Sequence, residues 1–325
     1  MQLTELLART NIAIDNNINV IFVSEPGQGK SEVCEQIAID RNADFIMINA
    51  NYLSPDMLTG LPVNNNGKAE FLPYGDLLKM FNASKETIVC IEEIGQASPM
   101  IQALLMNLIQ ARRINNIALS KHVKFIINTN DFNHGAGVSK VLEPLKGRCA
   151  IFKFSITAMD WLRWAIKKNC NKLIMFYVRT YPERLNQFSI KKEIENVPTP
   201  RNWTRLSTFI NAGFTDIETI ASCIGNSAAI DFKVFIDNYT KLAGVFAQIE
   251  NDPSNAPIFN QDITTQMALS VAISENVNKN NIENILKYLM RYSNKELVKF
   301  TLSVAESLHP EICNMGIYTR FKIAF

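Results

Sequence analysis

Short apolar runs punctuate the first half of the chain, each bounded by turn-forming or charged residues. Asn19–Ser24 (NVIFVS), Asp44–Asn49 (DFIMIN), Thr87–Ile91 (TIVCI), Val123–Thr129 (VKFIINT) and Ala150–Phe154 (AIFKF) are too short for helices and rich in branched residues, so they are predicted strands. Between them, Lys30–Arg41 and Pro99–Arg112 place apolar residues at helical spacing. Strands that are apolar throughout, rather than alternating, are buried on both faces. Alternated with helices, they predict an α/β fold built on a parallel sheet covered on both sides. From about Ala158 the chain changes to helical spacing with almost no strand candidates. Pro198 and Pro200 interrupt it ahead of a helix at Trp203–Ala212, and Asn251–Asn260 reads as a loop. Further helices are predicted over Ile282–Tyr292 and Lys295–Leu308. The expected organisation is an α/β domain over residues 1–155, an all-helical domain over 156–245 and a helical extension over 246–325.

Composition narrows the function classes. A chain of 325 residues that is 47% hydrophobic can bury a core and is not a disordered tail. Its 33 basic and 31 acidic residues leave a net charge of +2, which argues against a protein built mainly to neutralise a phosphate backbone. Nucleic acid stays an open but unfavoured partner. Neither a signal peptide nor an apolar run long enough to span a membrane is evident, so a cytoplasmic location without membrane contact is expected. The six cysteines are scattered and read as free core thiols. His122, His134 and His309 share no metal-ligand spacing, so no zinc site is expected.

Chemistry enters at the end of the first predicted strand. Asn19–Ser24 runs into Glu25-Pro26-Gly27-Gln28-Gly29-Lys30-Ser31, and a helix begins there. This strand–loop–helix context is that of a phosphate-binding loop. Gly27 and Gly29 let the backbone curl so that several N–H groups face one anion, and the helix N-terminus adds partial positive charge. Lys30 would reach the β- and γ-phosphates of ATP, and Ser31 would ligate Mg2+. Ser24 stands where the first glycine of the usual pattern falls, a small-for-small change that leaves the anion-facing glycines in place. The third predicted strand ends in Glu92-Glu93. In a phosphate-loop enzyme the first such acid holds Mg2+ through water and the second polarises the attacking water. The metal-side acid is commonly Asp; Glu92 is one methylene longer, so slow turnover is expected.

These motifs, followed by a polar strand tip at Thr129-Asn130, recur in this order in AAA+ ATPases, which the chain resembles. It is most similar to the MoxR-type branch, which carries an insert after the second strand. Leu53–Met80, with its Leu58-Thr59-Gly60-Leu61-Pro62 stretch, looks like that insert. Glu92–Ser98 and Gln102–Arg113 are similar to the family's segment after the acidic tip. Glu143–Arg148 resembles the segment ending in an arginine finger, and Thr199–Trp203 the second sensor that opens a lid helix. The resemblance implies that Glu93 is the catalytic base and that Asn130 orients the attacking water. It implies that Arg148 reaches the γ-phosphate of a neighbouring subunit and that Arg201 contacts nucleotide from a lid over 156–245. It further implies a ring, expected to be a hexamer, that remodels a protein client, and a von Willebrand factor A domain protein as partner. Two alternatives stay open at this stage. One is a clamp-loader- or helicase-loader-like DNA factor, which the Gly147-Arg148-Cys149 stretch resembles. The other is a nucleotide-binding module with little hydrolysis, for which Ser24 and Glu92 speak.

Overall fold

Five strands build the central sheet: β1 (Asn19–Ser24), β2 (Asp44–Asn49), β3 (Thr87–Glu92), β4 (Val123–Asn130) and β5 (Cys149–Lys153). All pair in parallel, in the order β2-β3-β4-β1-β5. The computed structural model describes residues 1–115, 117–131, 141–190, 193–259 and 262–324. His134, and the last residue of the loop expected at 251–260, lie outside these.

Alternation along the strands feeds two separate cores. Ile21, Val89, Ile91, Phe125 and Ile127 face one side, where they meet Ile101, Leu105, Leu108 and Ile109. Val20, Phe22, Ile88, Cys90 and Ile126 face the other, against Leu6 and Ile14 and against Val33, Cys34 and Ile37. Three helices supply these partners: α1 (Leu3–Asp15), α2 (Lys30–Asp40) and α3 (Pro99–Ala111). α3 starts where the Ser98 side chain accepts from the Ile101 N–H and Pro99 fixes the first turn. Its residues at i, i+4, i+7 and i+8 then form one apolar stripe on the sheet. Each fully buried Ile or Leu contributes about 1.5–3 kcal/mol, so the interior strand β3, buried along its whole length, is a main anchor of the fold.

α1 was not among the predicted elements. Its mixed composition hides an amphipathic helix whose buried residues Leu6, Thr10, Ala13 and Ile14 share one face. The region expected as an insert contains the short helix Pro55–Thr59, an antiparallel hairpin of Leu61–Asn65 with Lys68–Leu72, and the helix Gly75–Phe81. Every residue of both hairpin strands is exposed. Asn66 and Gly67 turn the hairpin with positive φ of 52° and 81°, the pairing that matches strand twist. At its base Gly60 has φ +88°, and a Cβ there would lie 2.8 Å from the Leu72 carbonyl oxygen.

The chain divides into two compact units, Met1–Ile156 and Thr157–Phe325. In the second, helices are the only regular elements among the described residues. The helix expected at Trp203–Ala212 runs over Pro200–Asn211 because Thr199 caps it, accepting from the Asn202 N–H. Its core is aromatic. Tyr177, Trp203 and Phe232 pack with ring centroids 5.0–5.5 Å apart, and buried Trp203 donates its Nε1–H to the Arg184 carbonyl at 2.9 Å. Helix Ile263–Asn276 reaches helix Lys172–Thr180 through Lys172–Glu275 at 3.1 Å, and Phe176 meets Phe300 at 5.2 Å. The stretches expected as 156–245 and 246–325 therefore share one compact unit. Cys34, Cys90, Cys170 and Cys223 are buried free thiols and Cys149 is half-buried, whereas Cys313 is exposed rather than in a core. Among the described residues no helix is long and apolar enough to cross a membrane.

Candidate nucleotide site

In a parallel sheet the strand C-termini share one edge, and a ligand bound there meets the loops that follow them. Here three neighbouring strands, β3, β4 and β1, end side by side. Ser24 pairs with Asn130 across β1 and β4, and Ile91 pairs with Ile127 across β3 and β4. The polar residues that follow the apolar strand bodies are thereby brought together at one place.

The loop after β1 has the backbone that its glycines allow. Gly27 and Gly29 have φ of 79° and 75°, a region that costs an ordinary residue about 1–2 kcal/mol. Gly29 is the N-cap of α2, so the first N–H groups of that helix lack intrahelical partners at the loop. Lys30 is the first residue of α2 and 8% exposed. Its ammonium donates to Asn130 Oδ1 at 2.7 Å, to Ser24 Oγ at 3.2 Å and to the Glu25 carbonyl at 3.3 Å. Ser24, standing at the usual glycine position, thus contributes a hydroxyl that orients the lysine. Gln28 is 1% exposed. Its Oε1 accepts from the Ile156 N–H at 2.9 Å, while its Nε2 meets no acceptor among the described residues. Ser31 is half-buried in the first turn of α2, and Glu25 and Pro26 form the half-buried front of the loop.

Asn130 links the lysine to the acidic tip. Its Nδ2 donates to Glu93 Oε2 at 3.3 Å. Glu93 is half-buried and has φ +57°, a left-handed conformation that a side-chain-bearing residue adopts at a cost. That backbone turns the chain sharply after β3, and the 3-10 turn Ile94–Gln96 follows. Glu92, still in the strand, is 8% exposed. Asn128 Nδ2 donates to Glu92 Oε1 at 2.8 Å, and the Cys90 thiol reaches the same oxygen at 3.2 Å. A hydrogen bond with Cys34, together with burial, pushes the Cys90 thiol well above its ordinary range, so Cys90 is an S–H donor rather than a thiolate.

Of the two candidate arginines, Arg148 makes its side-chain contacts outside this cluster. Arg148 is exposed just before β5 and donates to Gln110 Oε1 and to the Pro144 carbonyl. Arg201 is exposed in the first turn of Pro200–Asn211, in the second unit. Asn128 is the functional candidate that sequence reasoning missed. Its only signal was a lone amide inside an otherwise apolar strand.

The residues present fit a nucleoside triphosphate with Mg2+. The glycine turns, the helix start, the buried lysine and the unpartnered Gln28 amide are all donors suited to phosphate oxygens. Ser31 and Glu92 are hard oxygen donors. Among the described residues no three His, Cys, Asp or Glu side chains gather as a dedicated metal cage. Mg2+ is commonly held by only one or two protein ligands beside phosphates and water.

None of the curated proteins matches the chain in sequence. Solved structures similar to it include RuvB of Thermotoga maritima, the Holliday junction branch migration motor, at 14% identity and a TM-score of 0.42, covering 87% of this chain and 86% of that one. A single-residue mutant of the same RuvB has 13% identity and a TM-score of 0.45, with 87% and 86% covered. A presumptive ATPase from Cytophaga hutchinsonii has 11% identity and a TM-score of 0.35, with 98% and 88% covered. The stretch that carries the phosphate loop, both acids of the β3 tip, Asn130 and Arg148 is similar to the AAA domain of the dynein-related subfamily, whose family model matches residues 19–149.

Proposed function

We propose that this protein binds ATP with Mg2+, hydrolyses it, and assembles into a ring that remodels a protein client. One observation carries the reading: the hydrogen-bonded path from Lys30 through Asn130 to Glu93. It ties the group suited to the phosphates to the carboxylate suited to the attacking water, through an amide able to report on both. The phosphate loop, Glu25 to Ser31, would cradle the triphosphate. Ser31 and Glu92 would hold Mg2+, which when bound neutralises charge on the β- and γ-oxygens. Glu93 would accept the proton of the attacking water, with Asn130 orienting that water. The exposed position of Arg148, away from its own subunit's cluster, suits a finger offered to a neighbour, and this supports the ring, with a hexamer as the expected size. Arg201 would act from the lid. The exposed hairpin Leu61–Leu72 supports the MoxR-type assignment, with a von Willebrand factor A domain protein as the expected partner.

A second reading, nucleotide binding with slow hydrolysis, is favoured by the two contacts that turn Glu92 Oε1 inward. Steady-state ATP turnover of wild type beside Lys30→Ala tests both. Clear turnover lost in the variant supports the first reading, and tight binding without turnover the second. Light scattering of Glu93→Gln with ATP and Mg2+ tests the ring. A monomer there would remove the in-trans role of Arg148.

A further inference from the structure

Asn128 lies within β4, two residues before its tip, and is 0% exposed. Neighbours on its face include Val20, Phe22, Ile88, Cys90 and Ile126, all apolar or nearly so. A buried amide in such a place costs free energy unless it is hydrogen-bonded, and a leucine, with the same branching, would carry no such polar cost. The amide is spent on one partner of consequence. Its Nδ2 donates to Glu92 Oε1 at 2.8 Å, with Cys90 Sγ at 3.3 Å and Cys34 Sγ at 3.5 Å as weak neighbours.

The pairing follows from the pleat. Residues two apart on a strand share a face, so Asn128 lies one step deeper than Asn130, and Cys90 one step deeper than Glu92. On neighbouring β3 and β4, Cys90 stands opposite Ile126 and Ile91 opposite Ile127, so the next positions, Glu92 and Asn128, are level on one face, with Cys90 one step beneath Glu92. Both contacts to the Glu92 carboxylate go to Oε1, and among the described residues no donor reaches Oε2. The extra methylene of Glu over the usual Asp gives this carboxylate the freedom to wander. Asn128 and the Cys90 thiol remove that freedom by holding one oxygen and leave the other available.

We propose that Asn128 is a positioning residue that acts through Glu92, holding its carboxylate so that one oxygen serves the divalent cation of the nucleotide complex. This rests on the reading of the site given above. Loss of an outer hydrogen-bond partner of a metal-side ligand costs about 10–100-fold in metal affinity. Glu92 is expected to act through water, so the lower end applies.

The test uses the full chain and a fluorescent ATP analogue, titrated with and without Mg2+, in wild type, Asn128→Leu, Glu92→Gln and the double variant. In wild type, Mg2+ tightens binding. In Asn128→Leu, metal-free binding stays within about twofold of wild type while the tightening by Mg2+ falls about tenfold. In the Glu92→Gln background, Asn128→Leu has no further effect, which a purely structural role would not produce. Asn128→Ala repeats the measurement should the leucine variant not fold. Equal Mg2+ tightening in wild type and Asn128→Leu, or additive losses in the double variant, would overturn the proposal while leaving nucleotide binding intact. Failure of both Asn128 variants to fold would assign a structural role and overturn it too. No Mg2+ effect in wild type would overturn the reading of the site, and the proposal with it.

Discussion

Replacing Asn130 with alanine separates binding from hydrolysis. The side chain is 7% exposed and bridges Lys30 at 2.7 Å and Glu93 at 3.3 Å. A hydrogen bond from a charged donor is worth about 1.5–3 kcal/mol. Lys30 retains the Ser24 hydroxyl and the Glu25 carbonyl, so the net loss in Asn130→Ala is expected at about 1–2 kcal/mol. For a domain of this size that is a fall in Tm of about 2–8 °C. The same retained oxygens keep the ammonium beside the loop, so ATP affinity is expected to change by less than about threefold, well under one hydrogen bond's worth. The link to Glu93 is lost altogether. Turnover is therefore expected to drop about 100-fold, the lower end for a misplaced acid–base group. Tm is followed by circular dichroism, affinity by a fluorescent ATP analogue, and turnover by phosphate release. Unchanged turnover would refute the role of the bridge. A loss of affinity as large as in Lys30→Ala would show that Asn130 serves binding rather than water orientation.

Further outcomes are expected elsewhere. Glu93→Gly relieves the left-handed backbone at φ +57°, so Tm is expected to hold or rise by a few degrees while turnover is abolished; a large fall in Tm would contradict this. Gly60→Ala forces a Cβ to within 2.8 Å of the Leu72 carbonyl, so faster proteolysis within residues 53–80 is expected, with ATP affinity unchanged. Arg41 joins Glu86 at 2.6 Å and Asp15 at 2.6 Å, and its guanidinium holds the Glu86 carboxyl below the usual range. A depressed carboxyl stabilises the fold above its unfolded-state pKa and loses that contribution as pH falls through its lower folded value. Arg41→Leu is therefore expected to cost about 1–2 kcal/mol at pH 7, with the gap in Tm to wild type closing below about pH 4. A gap that does not vary with pH would assign the loss to packing alone.

The sheet was legible because its strands are apolar on both faces. Asn19–Ser24 and Asp44–Asn49 begin and end where the apolar runs do. β3 and β4 each run one residue further than expected, to Glu92 and Asn130, because tip residues that serve chemistry still pair in the sheet. The hairpin Leu61–Leu72 was not legible from periodicity. With both faces exposed there is no burial pattern to read, although Asn66-Gly67 is a strong hairpin turn. α1 escaped because two of the four buried positions on its stripe are Thr10 and Ala13, which leave Leu6 and Ile14 as the stripe's only strongly apolar signals. Of the candidate site, residues adjacent in sequence were readable as motifs: Gly27 to Ser31, and Glu92 with Glu93. The bridging role of Asn130, the lysine-orienting hydroxyl of Ser24 and the contact of Asn128 with Glu92 depend on which strands are neighbours. The order β3-β4-β1 is a property of the folded sheet, not of any local stretch.

The central claim is that one chain both grips ATP and cleaves it. The most direct measurement sets ATP affinity beside ATP turnover, with Mg2+, in wild type, Lys30→Ala and Glu93→Gln on the same preparations. The expected result is weak binding and no turnover in Lys30→Ala, with near-wild-type affinity but turnover below about 1% in Glu93→Gln. Turnover unchanged in both variants would contradict it.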